Sequence, residues 1–354
     1  MQTVLLLVPT GIGASIGGYA GDALPVAKAV AQVCDRLITH PNVMNGAQMY
    51  WNLPNVLYTE GYALDQFAAG HWNLRPVQQN KIGLLIDRAT EPDLVTRHLQ
   101  VANAARATLG LTLTDYVITD EPLNVALKTA DSGATWGTIG NPDSLLRAAE
   151  KLIHQAGATA IAVIARFPED LVESDALQDY RQGQGVDPLA GAEAVISHLI
   201  VRQFQIPCAH APALSPLPID STISPKSSAE ELGYTFLPCV LVGLSRAPQF
   251  VHPRSAQSSS QCGRSSDIHR NEVTHILVPE SACGGSALLH FSQTSSQIIT
   301  IRDNQTRMQV PPTALGIHAQ SVNSYLEALG LLVADRAGVS PESLSSFVPG
   351  LRPL

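Results

Sequence analysis

Short apolar runs alternate with helix-period stretches along this chain. Runs rich in Val, Ile and Leu predict strands near 4–8, 37–39, 82–86, 116–119, 160–164, 236–242, 275–278 and 298–301. Patterns with apolar residues three or four apart predict helices near 26–33, 93–109, 143–155, 188–204 and 322–337. This alternation is typical of an α/β protein with mostly parallel sheets and helices on both faces. We expect two Rossmann-like halves, 1–180 and 181–354.

A glycine-rich turn follows the first apolar run. Its glycines are Gly11, Gly13, Gly17, Gly18 and Gly21. Backbone N–H groups in such a turn, with the N-terminus of the next helix, can bind a phosphate or carboxylate. The turn lacks the Gly-Lys-Ser/Thr of a P-loop, and the second strand ends in His40 and Pro41 where a dinucleotide site has an acidic residue. The turn is therefore a packing device or a small-anion site, with a dinucleotide site as a further alternative.

Polar residues follow several predicted strands. Parallel strands present their carboxyl ends at one edge, so we expect Thr10, Asp87, Asp120, Arg166 and Glu280 to share a cleft. Arg166 is the candidate for binding an anion, because a guanidinium matches a carboxylate or phosphate. Each of these residues could also be an ordinary solvated strand end.

A second glycine turn, at 277–286, repeats the order of the first: strand, proline, polar residue, glycine, serine. Two such turns facing one cleft would hold a ligand between α/β halves, although the similarity could be chance. The candidate substrate-binding residues are Thr10, Gly11, Gly13, Ser15, Gly17, His40, Asn42, Asp87, Asp120, Arg166, Glu280, Gly284, Gly285 and Ser286.

Candidate catalytic residues are concentrated between 183 and 212. Asp187 precedes a helix with Glu193 and His198, and His210 follows. A histidine oriented by a carboxylate suffices for acid–base catalysis. A metal site is a second possibility, although the segment lacks the i, i+4 histidine pair that helical metal sites usually have. The structural alternative is that Asp187 caps the helix and the histidines are buried in the core.

Cys283 lies in the second glycine turn and is a candidate nucleophile, with a buried inert thiol as the alternative. The five cysteines are an odd number without C-x-x-C spacing, which indicates neither a disulfide framework nor a cysteine zinc site. The sequence identifies neither a metal nor a cofactor.

Composition narrows the partners and the location. A formal charge of −8 without a basic cluster argues against nucleic acid. The absence of a membrane-length apolar segment and of a signal-peptide pattern predicts a soluble cytoplasmic protein, which could form a homo-oligomer. The Ser-rich stretch 253–266 predicts a long loop, either an insertion without a role or a lid.

Residues 9–22, 39–46 and 185–193 resemble a protein family of unknown function found in cyanobacteria and plant plastids, and the resemblance spans nearly the whole length. It implies no reaction. From the residues, we expect an enzyme that acts on a small anionic metabolite held between the two glycine turns, by hydrolysis, group transfer or isomerisation. The alternative is a non-catalytic ligand-binding or regulatory protein.

Overall fold

The computed structural model describes residues 1–46, 53–168, 175–231, 236–253 and 267–351. Its strands are β1 (Thr3–Leu6), β2 (Arg36–Thr39), β3 (Val56–Tyr58), β4 (Asn73–Arg75), β5 (Ile82–Ile86), β6 (Leu113–Ile118), β7 (Val125–Thr129), β8 (Thr135–Ile139), β9 (Ala160–Arg166), β10 (Cys208–Ala213), β11 (Gln249–Val251), β12 (Val273–Pro279), β13 (Gln297–Ile301) and β14 (Gln320–Val322). Its helices are α1 (Leu24–Val33), α2 (Pro41–Met44), α3 (Gly61–Ala68), α4 (Pro92–Leu109), α5 (Pro142–Ala156), α6 (Asp175–Arg181), α7 (Ala190–Phe204), α8 (Ser228–Glu231), α9 (Phe236–Ser245), α10 (Ser286–Phe291) and α11 (Tyr325–Ala337).

The larger sheet is parallel and has the order β14-β13-β12-β1-β2-β3. Val4 in the central strand β1 lies opposite Leu37 of β2 and His275 of β12. From β1 the chain proceeds outward through β2 and β3 on one side, and later through β12, β13 and β14 on the other. This is a Rossmann-like order, and it leaves a topological switch point between β1 and β12.

The smaller parallel sheet has the order β10-β9-β5-β6, with its own switch point between β5 and β9. Two antiparallel pairs, β4 with β11 and β7 with β8, complete the described strands. The α/β prediction with mostly parallel sheets is confirmed. The larger sheet combines strands from 3–58 with strands from 273–322, and the predicted division of the domains at residue 180 stays a prediction.

The helix predictions near 93–109, 143–155, 188–204 and 322–337 correspond to α4, α5, α7 and α11. α4 and α5 each have proline in the first turn and end at a left-handed glycine, Gly110 and Gly157. Proline fits the first turn because its missing N–H has no helical partner, and glycine accepts positive φ without a Cβ clash. Residues 254–266 of the predicted Ser-rich loop lie outside the described residues.

The strand prediction at 236–242 is wrong, because this run forms helix α9. All residues from Leu237 to Ser245 are buried, and the helix packs against α4, β9 and β10. A fully buried helix shows no polar face, so its sequence looks like that of a buried strand. Gly243 permits close packing, since a Cβ there would lie 2.5 Å from the Tyr58 ring.

The first glycine turn packs closely against other parts of the protein. Gly17 has φ +95°, and a Cβ at this position would lie 2.3 Å from Val8 Cγ1. The Ser15 N–H donates to the Gln305 carbonyl at 2.8 Å, and the Ile16 N–H donates to Asn304 Oδ1 at 2.9 Å. Hydrogen bonds within the protein therefore account for these two N–H groups, and packing against Val8 accounts for the glycine at position 17.

We predict that Gly17→Ala lowers the free energy of unfolding by about 2–4 kcal/mol, because it combines a left-handed backbone with a steric clash. Gly133→Ala is the matched control: Gly133 has φ +82°, and a Cβ there would meet nothing within 4 Å. The control should lose only about 1–2 kcal/mol. Urea unfolding measures both changes, and equal losses would contradict the seating of Gly17 on Val8.

Candidate functional site

A cleft of about 330 Å³ opens at the switch point of the larger sheet. The segments after β1 and β12 form two of its walls, and α2, α3, α7 and β10 supply the others. Its polar lining includes Thr10, His40, Asn42, Glu60, Asp65, Glu193, Ser197, His198, His210 and Ser286. The carboxyl ends of strands at a switch point are the usual ligand site of open α/β sheets.

Glu60 and His198 form the first histidine–carboxylate pair in this cleft. Glu60 caps α3 by accepting the Ala63 N–H at 3.1 Å through Oε2, and its Oε1 lies 2.9 Å from His198 Nε2. A Cβ at Gly61 would lie 3.2 Å from the same nitrogen, so the missing side chain leaves room for the pair. Burial lowers the pKa of His198, but the hydrogen bond and charge of Glu60 outweigh it, so the net pKa is raised.

His210 forms the second pair. Helix α7 presents Glu193 and Ser197 one turn apart, and His210 extends from the neighbouring strand β10. His210 Nε2 lies 3.3 Å from Glu193 Oε2, and His210 Nδ1 lies 3.2 Å from Ser197 Oγ. Both ring nitrogens are therefore oriented by α7.

A smaller cavity of about 110 Å³ adjoins the cleft and shares Asn42, Asn45, Glu193 and His210 with it. Asp187 lies in this cavity, where its Oδ1 accepts the N–H groups of Leu189 and Ala190 at 2.8 and 3.2 Å at the start of α7. Burial, with the charge of Glu193, raises the pKa of Asp187 to about 7.

Glu230 lies in the same cavity. Its Oε1 accepts from the Tyr180 hydroxyl and from the Ala20 N–H, both at 2.6 Å. Burial and the charge of Asp187 raise the pKa of Glu230 well above its ordinary value. The carboxyl groups of Asp187 and Glu230, which are hard to ionise together, thus lie in the cavity that Glu193 and His210 also line.

His40 and Asn42 contribute neutral polar groups. The Val8 N–H donates to His40 Nε2 at 3.3 Å, and burial lowers the pKa of His40 to about 4, so the ring is neutral near pH 7. Asn42 Nδ2 is buried without a hydrogen-bond partner among the described residues. A buried amide donor left without a partner costs free energy.

Eight of the predicted site residues line the cleft: Thr10, His40, Asn42, Glu193, His198, His210, Gly285 and Ser286. Asp187 lines the adjoining cavity. Glu193, His198 and His210 thus line one cleft, and Asp187 lies in the cavity next to it.

The expectation that Thr10, Asp87, Asp120, Arg166 and Glu280 share one cleft is wrong, because their strands belong to two sheets. The carboxylate of Asp87 is fully buried and accepts the N–H groups of Ala89, Leu123 and Arg166. Its contacts are those of a structural residue at the switch point of the smaller sheet.

Three other charged or reactive candidates also have structural partners. Arg166 forms a two-pronged ion pair with Glu91, and Asp120 forms one with Arg147. Cys283 is fully buried, and burial together with the Glu280 charge raises the pKa of its thiol to about 11. A protonated buried thiol is a poor nucleophile, which corrects the nucleophile hypothesis for Cys283.

The remaining candidates pack against other parts of the chain. A Cβ at Gly11 would lie 3.0 Å from Thr135 Oγ1, and one at Gly284 would lie 3.3 Å from Val310 Cγ1. Glu280 accepts from the Ser321 hydroxyl at 2.5 Å. Gly17 contacts Val8, as described above.

Gly13 and Ser15 line a separate surface cleft beside Lys226 and Arg307. A Cβ at Gly13 would lie 2.9 Å from the Gly185 carbonyl oxygen, so this glycine permits a close contact between two loops. The first glycine turn therefore borders the main cleft only at Pro9 and Thr10.

Sequence reasoning missed Glu60, Tyr180 and Glu230. Glu60 carried only a weak signal: it stands between a strand-like run and a helix, but the preferred acidic N-cap is Asp rather than Glu. Tyr180 and Glu230 carried none, because they meet only through tertiary packing. Among the described residues, no group of three or more His, Cys, Asp and Glu side chains has a metal-binding arrangement.

Residues 3–345 match the model of a family described as "Protein of unknown function (DUF3326)". The chain belongs to this family. A relative named as an uncharacterized lipoprotein, from Synechococcus sp., is 60% identical over 352 residues, which cover 99% of this chain and 95% of the relative. No solved structure matches the chain.

The predicted resemblance to a cyanobacterial family of unknown function is thus confirmed. Within the described ranges of this DUF3326 chain, no helix combines the length and apolar character needed to cross a bilayer.

We predict that Glu60→Gln lowers the pKa of His198 in this DUF3326 protein. Gln retains an oxygen that can cap α3 but removes the charge that raises the histidine pKa. The Glu60 charge therefore stabilises the folded state fully at pH values below the pKa of an unfolded histidine, near 6.5. This stabilisation is lost as the pH rises through the higher pKa of folded His198. NMR titration of the imidazole measures the shift, with exposed His154 as the internal control. An unchanged pKa of His198 would contradict the pair.

A second prediction concerns Asp187→Asn, which keeps an oxygen for the α7 N–H groups. Because the native pKa of about 7 lies above the unfolded 3.8, the native state holds this proton more tightly, and wild-type stability falls as pH rises between those values. Across that pH range, the free energy of unfolding of the variant should rise by up to about 4 kcal/mol relative to that of the wild type. Urea unfolding at pH 5 and pH 8 measures the gain, with exposed Asp143→Asn as control. A difference that does not change with pH would contradict the raised pKa.

Proposed function

We propose that this protein is an enzyme that transfers protons to and from a small polar metabolite in the switch-point cleft. The observation that carries the proposal is that two histidine–carboxylate pairs, His198 with Glu60 at 2.9 Å and His210 with Glu193 at 3.3 Å, line the same cleft. A histidine oriented by a carboxylate is a common general acid or base near neutral pH.

The two histidines suit different steps. The His198 side chain is 43% exposed and its raised pKa favours the imidazolium, so we assign it the role of proton donor. The His210 side chain is 15% exposed, its Nδ1 is hydrogen-bonded to Ser197 and its Nε2 lies 3.3 Å from Glu193 Oε2, so we assign it the role of base. An acid and a base whose environments differ are a recurring arrangement in active sites.

The lining constrains the metabolite. Thr10, Asn42 and Ser286 provide polar contacts, and Leu7, Leu64 and Val278 provide apolar ones. The described lining also contains Glu60, Asp65 and Glu193 but neither lysine nor arginine. We therefore propose a ligand with at most one negative group, such as a carboxylate bound by Thr10, Ser286 and protonated His198, rather than a multiply charged phosphate.

We also propose that the protein acts in the cytoplasm and that Cys34 carries no lipid, although a relative is named a lipoprotein. Cys34 is 5% exposed at the end of α1, and burial raises the pKa of its thiol to about 12. Processing ahead of Cys34 would remove β1, the central strand of the larger sheet. Cell fractionation with metabolic labelling by a fatty acid tests this proposal, and a lipid on Cys34 would overturn it.

The function is tested by identifying small molecules that copurify with the protein or raise its melting temperature, and by assaying their conversion. In His198→Asn and in His210→Asn, turnover should fall about 10²–10⁴-fold. His154→Asn is the control, because His154 is exposed on α5 away from the cleft. A ligand that binds in the cleft and is never converted by the wild type would instead support a ligand-binding protein.

A further inference from the structure

Three side chains in the cleft lie in one row of close polar contacts. Ser197 Oγ lies 3.2 Å from His210 Nδ1, and His210 Nε2 lies 3.3 Å from Glu193 Oε2. A hydroxyl, an imidazole and a carboxylate in this order have the connectivity of a nucleophile, its base and the group that orients the base.

The carboxylate determines which histidine nitrogen carries the hydrogen. A carboxylate oxygen accepts hydrogen bonds, so Glu193 Oε2 at 3.3 Å favours the tautomer with the hydrogen on Nε2, and Nδ1 then presents its lone pair to Ser197. The Ser197 hydroxyl also lies 3.3 Å from the Glu193 carbonyl oxygen in the preceding helical turn. Its proton is therefore shared between a backbone carbonyl and a base that can remove it.

The same cleft contains an unused donor. Asn42 Nδ2 is buried without a partner among the described residues, and Asn42 lines the cleft together with Ser197 and His210. Attack on a carbonyl group requires a hydrogen-bond donor for the oxyanion that develops, and an asparagine amide can fill this role. Among the described lining residues, Asn42 is therefore the candidate for the donor that Ser197, His210 and Glu193 do not provide.

We propose that Ser197 is the nucleophile of an acyl-transfer reaction on a small ester or amide, with His210 as base, Glu193 as the residue that positions it, and Asn42 as oxyanion donor. The proposal rests on the proposed function for the cleft and for His210. Ser197 is 3% exposed and is reached through the cleft, so the substrate must be small.

The reaction balances with these residues and water. As Ser197 Oγ bonds to the carbonyl carbon, its proton passes to His210 Nδ1 and the carbonyl π electrons move to the oxygen facing Asn42. The oxyanion collapses, the bond to the leaving alcohol or amine breaks, and His210 returns the proton to that group. Water then attacks the acyl-serine and gives a proton to His210. The acyl–oxygen bond breaks, the carboxylic acid leaves, and His210 returns the proton to Ser197 Oγ.

Methanesulfonyl fluoride, a serine reagent as small as the proposed substrates, tests the nucleophile without knowledge of the metabolite. The serine oxygen displaces fluoride from sulfur, which leaves one adduct that intact mass and peptide mapping locate. We expect the wild type to be labelled on Ser197, Ser197→Ala to remain unlabelled, and His210→Asn and Asn42→Ala each to react about 10²-fold more slowly. Ser144→Ala is the matched control, since Ser144 is buried on α5 beside the other sheet.

A wild type without an adduct on Ser197, or an adduct that forms equally fast in His210→Asn, would overturn the proposal. Turnover that depends on His198 and His210 while Ser197 stays unlabelled would retain the acid–base enzyme and remove only the nucleophile. Ser197→Cys provides a second measurement that preserves side-chain size. The reaction of the wild-type cysteines with iodoacetamide is subtracted as background. Near pH 7, the new thiol of Ser197→Cys should then react faster than the same thiol in the double variant with His210→Asn. Equal rates in the two variants would count against the role of His210.

Discussion

The parallel pairing of β1 with β12 is the interaction on which the site depends. Thr3–Leu6 and Val273–Pro279 are far apart in sequence, yet Leu5 lies opposite Ile276, and the Leu7 N–H extends the ladder to the Leu277 carbonyl at 2.9 Å. The entropy of closing such a loop grows only with the logarithm of its length, so a central strand can come from either end of a chain. Because parallel strands end at the same edge, this register places Thr10 and Ser286 on facing walls of one crevice.

Helix α7 carries Glu193, Ser197 and His198, and its start is secured by a carboxyl group in an unfavourable environment. Asp187 accepts two N–H groups there and faces the positive end of the helix dipole, both of which favour its charge. Burial and the neighbouring Glu193 and Glu230 oppose that charge. An acidic cluster of this kind reduces stability near neutral pH, which is a cost that proteins tolerate where function requires the arrangement.

Local chemistry made much of the fold predictable. Apolar residues three or four apart identified α4 and α5, and apolar runs identified most of the strands of both parallel sheets. The partition of strands between two sheets was not predictable, because strand pairing depends on residues hundreds of positions apart. The same limit applies to the site: Asp187, Glu193, His198 and His210 lie within one short segment and could be grouped, whereas Glu60 and Glu230 join them only after folding.

The two switch points of this molecule show why polarity at a strand end does not by itself indicate a binding site. At the smaller sheet, Asp87 is fully buried and its carboxylate is hydrogen-bonded to three backbone N–H groups, so the protein itself satisfies this carboxylate. At the larger sheet, the crevice stays open and retains a buried amide donor on Asn42 without a partner among the described residues. Unpaired donors are costly unless a ligand or water satisfies them. The two crevices therefore differ in which polar groups the protein satisfies itself and which it leaves without a partner among the described residues.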